Sequence, residues 1–276
     1  MRVLIMATTA LALGACAPVE GGAARPATLS TVERAAIASA VAAPTRSAAN
    51  RERDMWRHPV ETLAFFGVRP TDHVVELVPG GGWYSEILIP LTSRGGRYTA
   101  AGAWGAGLAG ARRAGEALGN PGHVAYAEFP RAAGSANPGV APSSADVVLT
   151  FRNVHNFLMR GEGATADAFA QAYTMLKPGG RFGVVDHRLP ESRPTEQERT
   201  SGYVKRSTVV RLAQAAGFRL VAESEVNANP RDTADHPRGV WTLPPVLRGA
   251  ADDGERNRWR AIGESDRMTL LFVKPE

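Results

Sequence analysis

Residues 74–84 constrain this chain more than any other stretch. Val74-Val75-Glu76-Leu77-Val78 is an apolar run carrying one acid, and Pro79-Gly80-Gly81-Gly82-Trp83-Tyr84 follows at once. The next residues, Ser85-Glu86-Ile87-Leu88-Ile89, read as the start of a helix. A buried strand that feeds a helix through consecutive glycines brings backbone N–H groups close to a ligand, because no Cβ blocks the approach. On its own the pattern marks a nucleotide-binding type of α/β fold and nothing narrower.

The rest of the chain repeats the alternation. Strands are predicted near 73–78, 97–101, 123–127, 146–151 and 181–186, and helices near 83–92, 107–118, 164–176 and 206–216. Such alternation predicts a doubly wound, mostly parallel sheet covered on both faces. Arg219 to Val226 and Met268 to Val273 make two late strands with no helical crossover, which suits an antiparallel ending to a seven-stranded sheet. Ahead of the sheet, Ser30 to Val41 reads as a helix with Ser30 as N-cap and Glu33 at the capping-box position. A second helical stretch, Asn50 to Phe66, is expected to break at Pro59.

The order glycine turn, then Val147-Val148-Leu149-Thr150-Phe151, then Leu176-Lys177-Pro178-Gly179-Gly180 and Phe182-Gly183-Val184-Val185-Asp186 resembles the class I S-adenosylmethionine (SAM)-dependent methyltransferases over residues 72–276. More narrowly, the chain is similar to a bacterial group of predicted methyltransferases. That likeness rests on Arg57-His58-Pro59, on residues 61–67, on Phe151-Arg152-Asn153-Val154-His155-Asn156, on Asn229-Pro230 and on Gly239-Val240-Trp241-Thr242-Leu243-Pro244-Pro245. The resemblance implies a Rossmann-like fold with extra N-terminal helices, SAM as cofactor, and methyl transfer to a small-molecule or envelope acceptor that the sequence does not name. It implies that Glu76 helps to hold the cofactor's amino group. Gly80 and Gly82, with Gly81 between them, are implied as the floor beneath the cofactor's methionine and ribose. Val78 stands where the family usually has its first glycine. A further departure is that residues 97–104 end the second strand with no acid for the ribose hydroxyls. Glu128, after the third strand, is a candidate for the adenine amino group.

In an open parallel sheet, ligands sit outside the carboxyl ends of the strands. His155 is therefore the candidate general base, with Asn153 and Asn156 as groups that orient the substrate. Tyr84, Asp186 and His187 are expected to line the acceptor pocket, and Trp83 and Trp241 are candidates to wall it. His155 capping a helix, Asp186 in an ion pair and the aromatic residues as plain packing are the structural alternatives. His58, His73 and His123 have no partners at metal-ligand spacing, so no metal is expected.

Cys16 is the only cysteine. Met1-Arg2, an apolar run from Val3 to Leu13, and Leu13-Gly14-Ala15-Cys16 resemble a lipoprotein signal peptide, too short for a membrane span. The expected organisation is a signal peptide over 1–15, a linker over 16–29, a helical extension over 30–71 and the methyltransferase-like domain over 72–276. A lipid on Cys16 would tether the protein in the periplasm to the outer or inner membrane, the outer being preferred because Ala17 is not aspartate. A cytoplasmic form would require a misassigned start, and the first methionine after Cys16 is Met55. The net charge of +5 comes from a chain whose 32 basic residues include only three lysines, with the arginines scattered. No basic stripe interleaved with aromatics points to nucleic acid. The competing reading is an exported lipoprotein that keeps the fold as a binding or structural protein without catalysis.

Overall fold

The computed structural model describes residues 28–276. Cys16 and the expected signal peptide lie outside the described residues, as does nearly all of the linker. Four helices come first: α1 (Thr31–Val41), α2 (Ala48–Arg51), α3 (Asp54–Arg57) and α4 (Pro59–Phe65). Ser30 and Glu33 form the expected capping box, with the Glu33 carboxylate 2.7 Å from the Ser30 N–H and the Glu33 N–H 3.2 Å from Ser30 Oγ. The expected break falls at His58, whose backbone turns left-handed (φ 38°) just before Pro59 opens α4.

The alternating part follows as β1 (His73–Leu77), α5 (Ser85–Leu91), β2 (Arg97–Gly102), α6 (Ala109–Glu116), β3 (Val124–Glu128) and β4 (Ala145–Phe151). Then come α7 (Val154–Leu158), α8 (Glu162–Met175), β5 (Leu176–Leu189), β6 (Val204–Lys205), α9 (Arg206–Ala215), β7 (Arg219–Ser224), α10 (Asp253–Ile262) and β8 (Arg267–Val273). The strand order is β3-β2-β1-β4-β5-β8-β7, parallel as far as β5, with β8 antiparallel to both β5 and β7. The seven expected strands are joined by the short β6, which pairs with β5 at Arg188 and Leu189. It can do so because β5 runs three residues past Asp186, farther than the sequence pattern suggests.

Side-chain alternation along the strands supplies two cores, one on each face. Val74, Val147, Leu149 and Val185 pack toward α5 and α6, whereas Val75, Leu77, Val148 and Phe182 pack toward α8 and α9. Ile37 of α1 and Leu63 of α4 belong to the first of these cores, beside Ile87 and Leu88 of α5. The N-terminal helices thus share the main core instead of building their own, and this brings Arg57 to the carboxyl ends of the strands.

Candidate active site

The glycine turn leaves β1 with Val78 in the left-handed region (φ 52°), the conformation a glycine would take without strain. Its N–H donates to Ala101 O at 2.6 Å, which holds the turn against β2. The three glycines are not equivalent. A Cβ on Gly80 or Gly81 would meet nothing within 4 Å, so the backbone there is open to a ligand. A Cβ on Gly82 would lie 2.6 Å from Gly110 O, and one on Gly110 would lie 2.3 Å from Gly80 O. Gly82 is therefore a packing glycine against the first turn of α6, not part of an open cofactor floor.

Glu76 sits beneath the turn and is almost fully buried. Its Oε2 accepts from Tyr98 Oη at 2.5 Å and from Ser85 Oγ at 2.9 Å. Burial pushes its carboxyl up to about 7, although both hydroxyl donors pull the other way. The end of β2 carries no acid, but the register pairs Gly102 with Glu128 on β3. Glu128 Oε1 accepts from Asn137 Nδ2 at 3.0 Å, while its buried Oε2 has no donor among the described residues. A carboxylate with an unclaimed oxygen thus stands beside the position where the second-strand acid is missing.

His155 opens the first turn of α7, immediately beyond β4. Its Nδ1 lies 2.8 Å from Asp186 Oδ1, and its backbone N–H donates to Asp186 Oδ2 at 3.1 Å. The β4–β5 register, which pairs Phe151 with Val185, produces this meeting. Asp186 has no exposed surface and also accepts from the His187 N–H at 2.7 Å. With no exposed surface it orients His155 from below, where lining of the acceptor pocket was expected. A carboxylate on Nδ1 fixes the proton there and leaves Nε2 as the basic nitrogen.

His187 is buried, with Nδ1 at 2.5 Å from Ser265 Oγ. Burial first, then the neighbouring His155 and Arg152, hold it well below the usual histidine range, so it is neutral. Its ring centroid is 5.0 Å from that of His155. His155, Asp186 and His187 bring three donor groups within 4.8 Å of one another, a spacing that suits a metal and that no sequence interval revealed. The electrostatics oppose a cation, because Arg57, Arg152 and Arg267 all act on His187. The contacts to Asp186 are those of a hydrogen-bonded dyad.

The two asparagines do other work than expected. Asn153 is buried, and its Nδ2 reaches Leu77 O and Phe151 O, both at 3.1 Å, which ties the ends of β1 and β4 together. Asn156 is exposed and turns back toward Arg152 O at 3.4 Å, away from His155. Tyr84 does reach the site: its ring stacks on Phe151 at 3.5 Å between centroids, and burial pushes its hydroxyl up to about 12. Trp83 is buried beside it with Arg57 over its ring at 4.7 Å. Trp241 lies 6.3 Å from the His155 ring and borders a pocket of about 650 Å³ that Ser201, His236, Arg238 and Arg248 also line. That volume is in the range of small-molecule sites.

Open glycine backbone at β1, a free carboxylate oxygen at β3 and a histidine–aspartate dyad at β4 and β5 all lie at the same ends of one sheet. No protein-family model matches the sequence, and no curated protein does. Solved structures do. A SAM-dependent methyltransferase from Aquifex aeolicus superposes over 87% of this chain and 98% of its own, with a TM-score of 0.54 and 13% identity. The fold is that of the SAM-dependent methyltransferases. A geranyl diphosphate methyltransferase solved with SAM gives a TM-score of 0.50 at 13% identity, covering 86% of this chain and 94% of its own. A 4+2 cyclase, SpnF, gives 0.50 at 15% identity over 87% and 91%. One fold therefore houses different activities, and chemistry has to be argued from the site.

Proposed function

We propose that this protein is a SAM-dependent methyltransferase in which His155 removes a proton from the acceptor's nucleophile. The observation that carries this reading is the His155–Asp186 dyad at the carboxyl ends of β4 and β5, on a sheet whose β1 end is an open glycine turn. The cofactor fit rests on side chains and backbone of this chain. Gly80 and Gly81 leave room over the turn, and Glu128, paired with Gly102, brings a carboxylate beside the second-strand end that lacks one. SAM, when bound, supplies a methyl group on a sulfonium, which a nucleophile takes by in-line displacement.

The protein's share of the work is alignment and one proton. Asp186 holds Nδ1–H of the buried His155, which leaves Nε2 as the nitrogen able to accept a proton from an oxygen, nitrogen or sulfur nucleophile. Asn153 holds the ends of β1 and β4 in fixed relation, and so the dyad relative to the glycine turn. Alignment of two bound groups is worth many orders of magnitude in rate, which makes such a clamp part of catalysis without touching substrate. Calorimetric titration of the protein with SAM and S-adenosylhomocysteine tests the reading: saturable binding of both supports it, and no heat with either ends it.

The same titration separates a second reading. The chain lacks a second-strand acid, and Glu76 already receives two protein donors. Both features suit a non-catalytic binding protein on this fold. Leu13-Gly14-Ala15-Cys16 supports a lipid anchor and a periplasmic location for either one.

A further inference from the structure

Four arginines beside the dyad, Arg57 and Arg267 buried and Arg53 and Arg152 half-buried, have more positive charge than their partners among the described residues neutralise. Glu264 is the hub. Its carboxylate accepts from Arg53 Nε at 2.7 Å and from Arg57 Nε and Arg267 Nη1, each at 3.1 Å. Burial alone would raise Glu264, but Arg57, Arg267 and Arg53 outweigh it and hold the carboxyl down to about 2. One carboxylate thus serves three guanidinium groups. Arg57 and Arg267 are each only 3% exposed, and Arg57 Nη2 is buried with no acceptor among the described residues.

Arg152 is a fourth guanidinium, and among the described residues nothing accepts a hydrogen bond from it. Glu264 and, more weakly, Asp186 attract it from a distance, while Arg267 and Arg53 repel it. Burial leads these effects in lowering its pKa to about 10. Its backbone is left-handed (φ 61°), a strained conformation for a residue other than glycine. Arg152, Arg57 and Arg267 line one small cleft together with Tyr84, Phe151 and Asn227. The antiparallel register pairs Arg267 with His187, and Arg152 precedes His155 by three residues, so the cleft adjoins the dyad. Arg152 is half-buried and Arg57 Nη2 fully buried without an acceptor among the described residues, and positive charge so short of partners is costly unless an anion meets it.

We infer that Arg152, with Arg57 and Arg267, binds an oxyanion, the carboxylate or phosphate group of an acidic methyl acceptor, and so presents its nucleophile to His155. The assignment to a methyl acceptor rests on the methyltransferase reading above. The cleft measures about 10 Å³, the space of roughly one water molecule, so a single oxygen of the anion would enter it and the rest of the molecule would lie at its mouth. A planar guanidinium fork suits two-point recognition of a carboxylate or phosphate.

Calorimetry of the full chain with benzoate, phenyl phosphate and the neutral benzamide tests the inference. At least one of the two anions is expected to bind tenfold or more tightly than benzamide, and the tighter one identifies the oxyanion. Arg152→Asn, a residue that tolerates the left-handed backbone, is expected to abolish that preference, and Arg152→Lys to keep part of it. Because Arg152 has no acceptor among the described residues, unliganded Arg152→Asn is expected to melt at or above the parental temperature. Equal binding of all three probes, an anion preference unchanged in Arg152→Asn, or a large fall in its melting temperature would each overturn the anion site. SAM affinity is measured on the same samples. SAM binding without anion binding overturns the cleft alone, and anion binding without SAM binding overturns the assignment to a methyl acceptor.

Discussion

The Tyr98 hydroxyl lies 2.5 Å from Glu76 Oε2 in a site with no solvent, directly beneath the glycine turn. The acid is enclosed by Tyr98 and Ser85, and burial lifts it from 4.5 to about 7. A carboxyl raised in the folded state binds more protons than the unfolded chain between those two values. Its ionisation therefore erodes stability as the pH climbs through that window, by about 3 kcal/mol once it is complete.

Glu76→Gln keeps an acceptor for Tyr98 and removes the charge. The variant is expected to match the parent near pH 4.5 and to exceed its stability by about 1–3 kcal/mol at pH 8. Urea midpoints for both proteins at the two pH values measure the difference. A parent–variant gap that does not grow with pH would mean that Glu76 is charged at little cost.

The unequal glycines give a second test. Gly81→Ala points a methyl into open space, so the fold should survive with parental urea stability while SAM affinity falls. Gly82→Ala and Gly110→Ala each drive a Cβ into the backbone of the other segment, with little room to relax. Overpacking of this kind costs about 1–3 kcal/mol. Denaturation curves for the three variants, with SAM titrations beside them, distinguish a ligand floor from a packing contact. Parental SAM affinity in Gly81→Ala would move the cofactor away from the turn.

Lipidation is tested independently of the fold. Cys16→Ser is expected to leave unprocessed precursor and to abolish incorporation of a labelled fatty acid in bacterial cells. Equal labelling of variant and parent would remove the anchor and the location argued from it.

Features set by neighbouring residues were readable in the sequence. The Ser30–Glu33 cap spans three residues, the break at His58-Pro59 is local backbone chemistry, and the glycine turn announces itself between a strand and a helix. The mostly parallel sheet covered on both faces follows from the alternation of strands and helices. What escaped detection was made by register and helix packing. Asp186 reaches His155 because β4 and β5 pair Phe151 with Val185, and no spacing rule links positions 31 apart. Arg57, Arg152 and Arg267 come from an N-terminal helix, a strand end and the last strand, so their common cleft has no sequence period. Gly110 looked like one more glycine in an alanine-rich stretch, and only the seating of α6 shows that it limits Gly82. Asn153 and Asn156 read alike on the page, yet one is buried between strand ends and the other faces solvent.

The dyad makes the sharpest claim about chemistry. If Nε2 of His155 takes the acceptor's proton, His155→Ala should lower turnover by about 10²–10⁴-fold and leave SAM affinity nearly unchanged. Asp186→Asn separates orientation from basicity. The amide cannot stabilise an imidazolium as a carboxylate does, so turnover should drop while SAM affinity is kept. Asp186 also receives the backbone N–H groups of His155 and His187, so circular dichroism and SAM titration must show that the variant is folded. Turnover of a screened acidic acceptor by His155→Ala at the parental rate would leave the dyad a packing feature. Parental turnover in Asp186→Asn would assign catalysis to alignment alone.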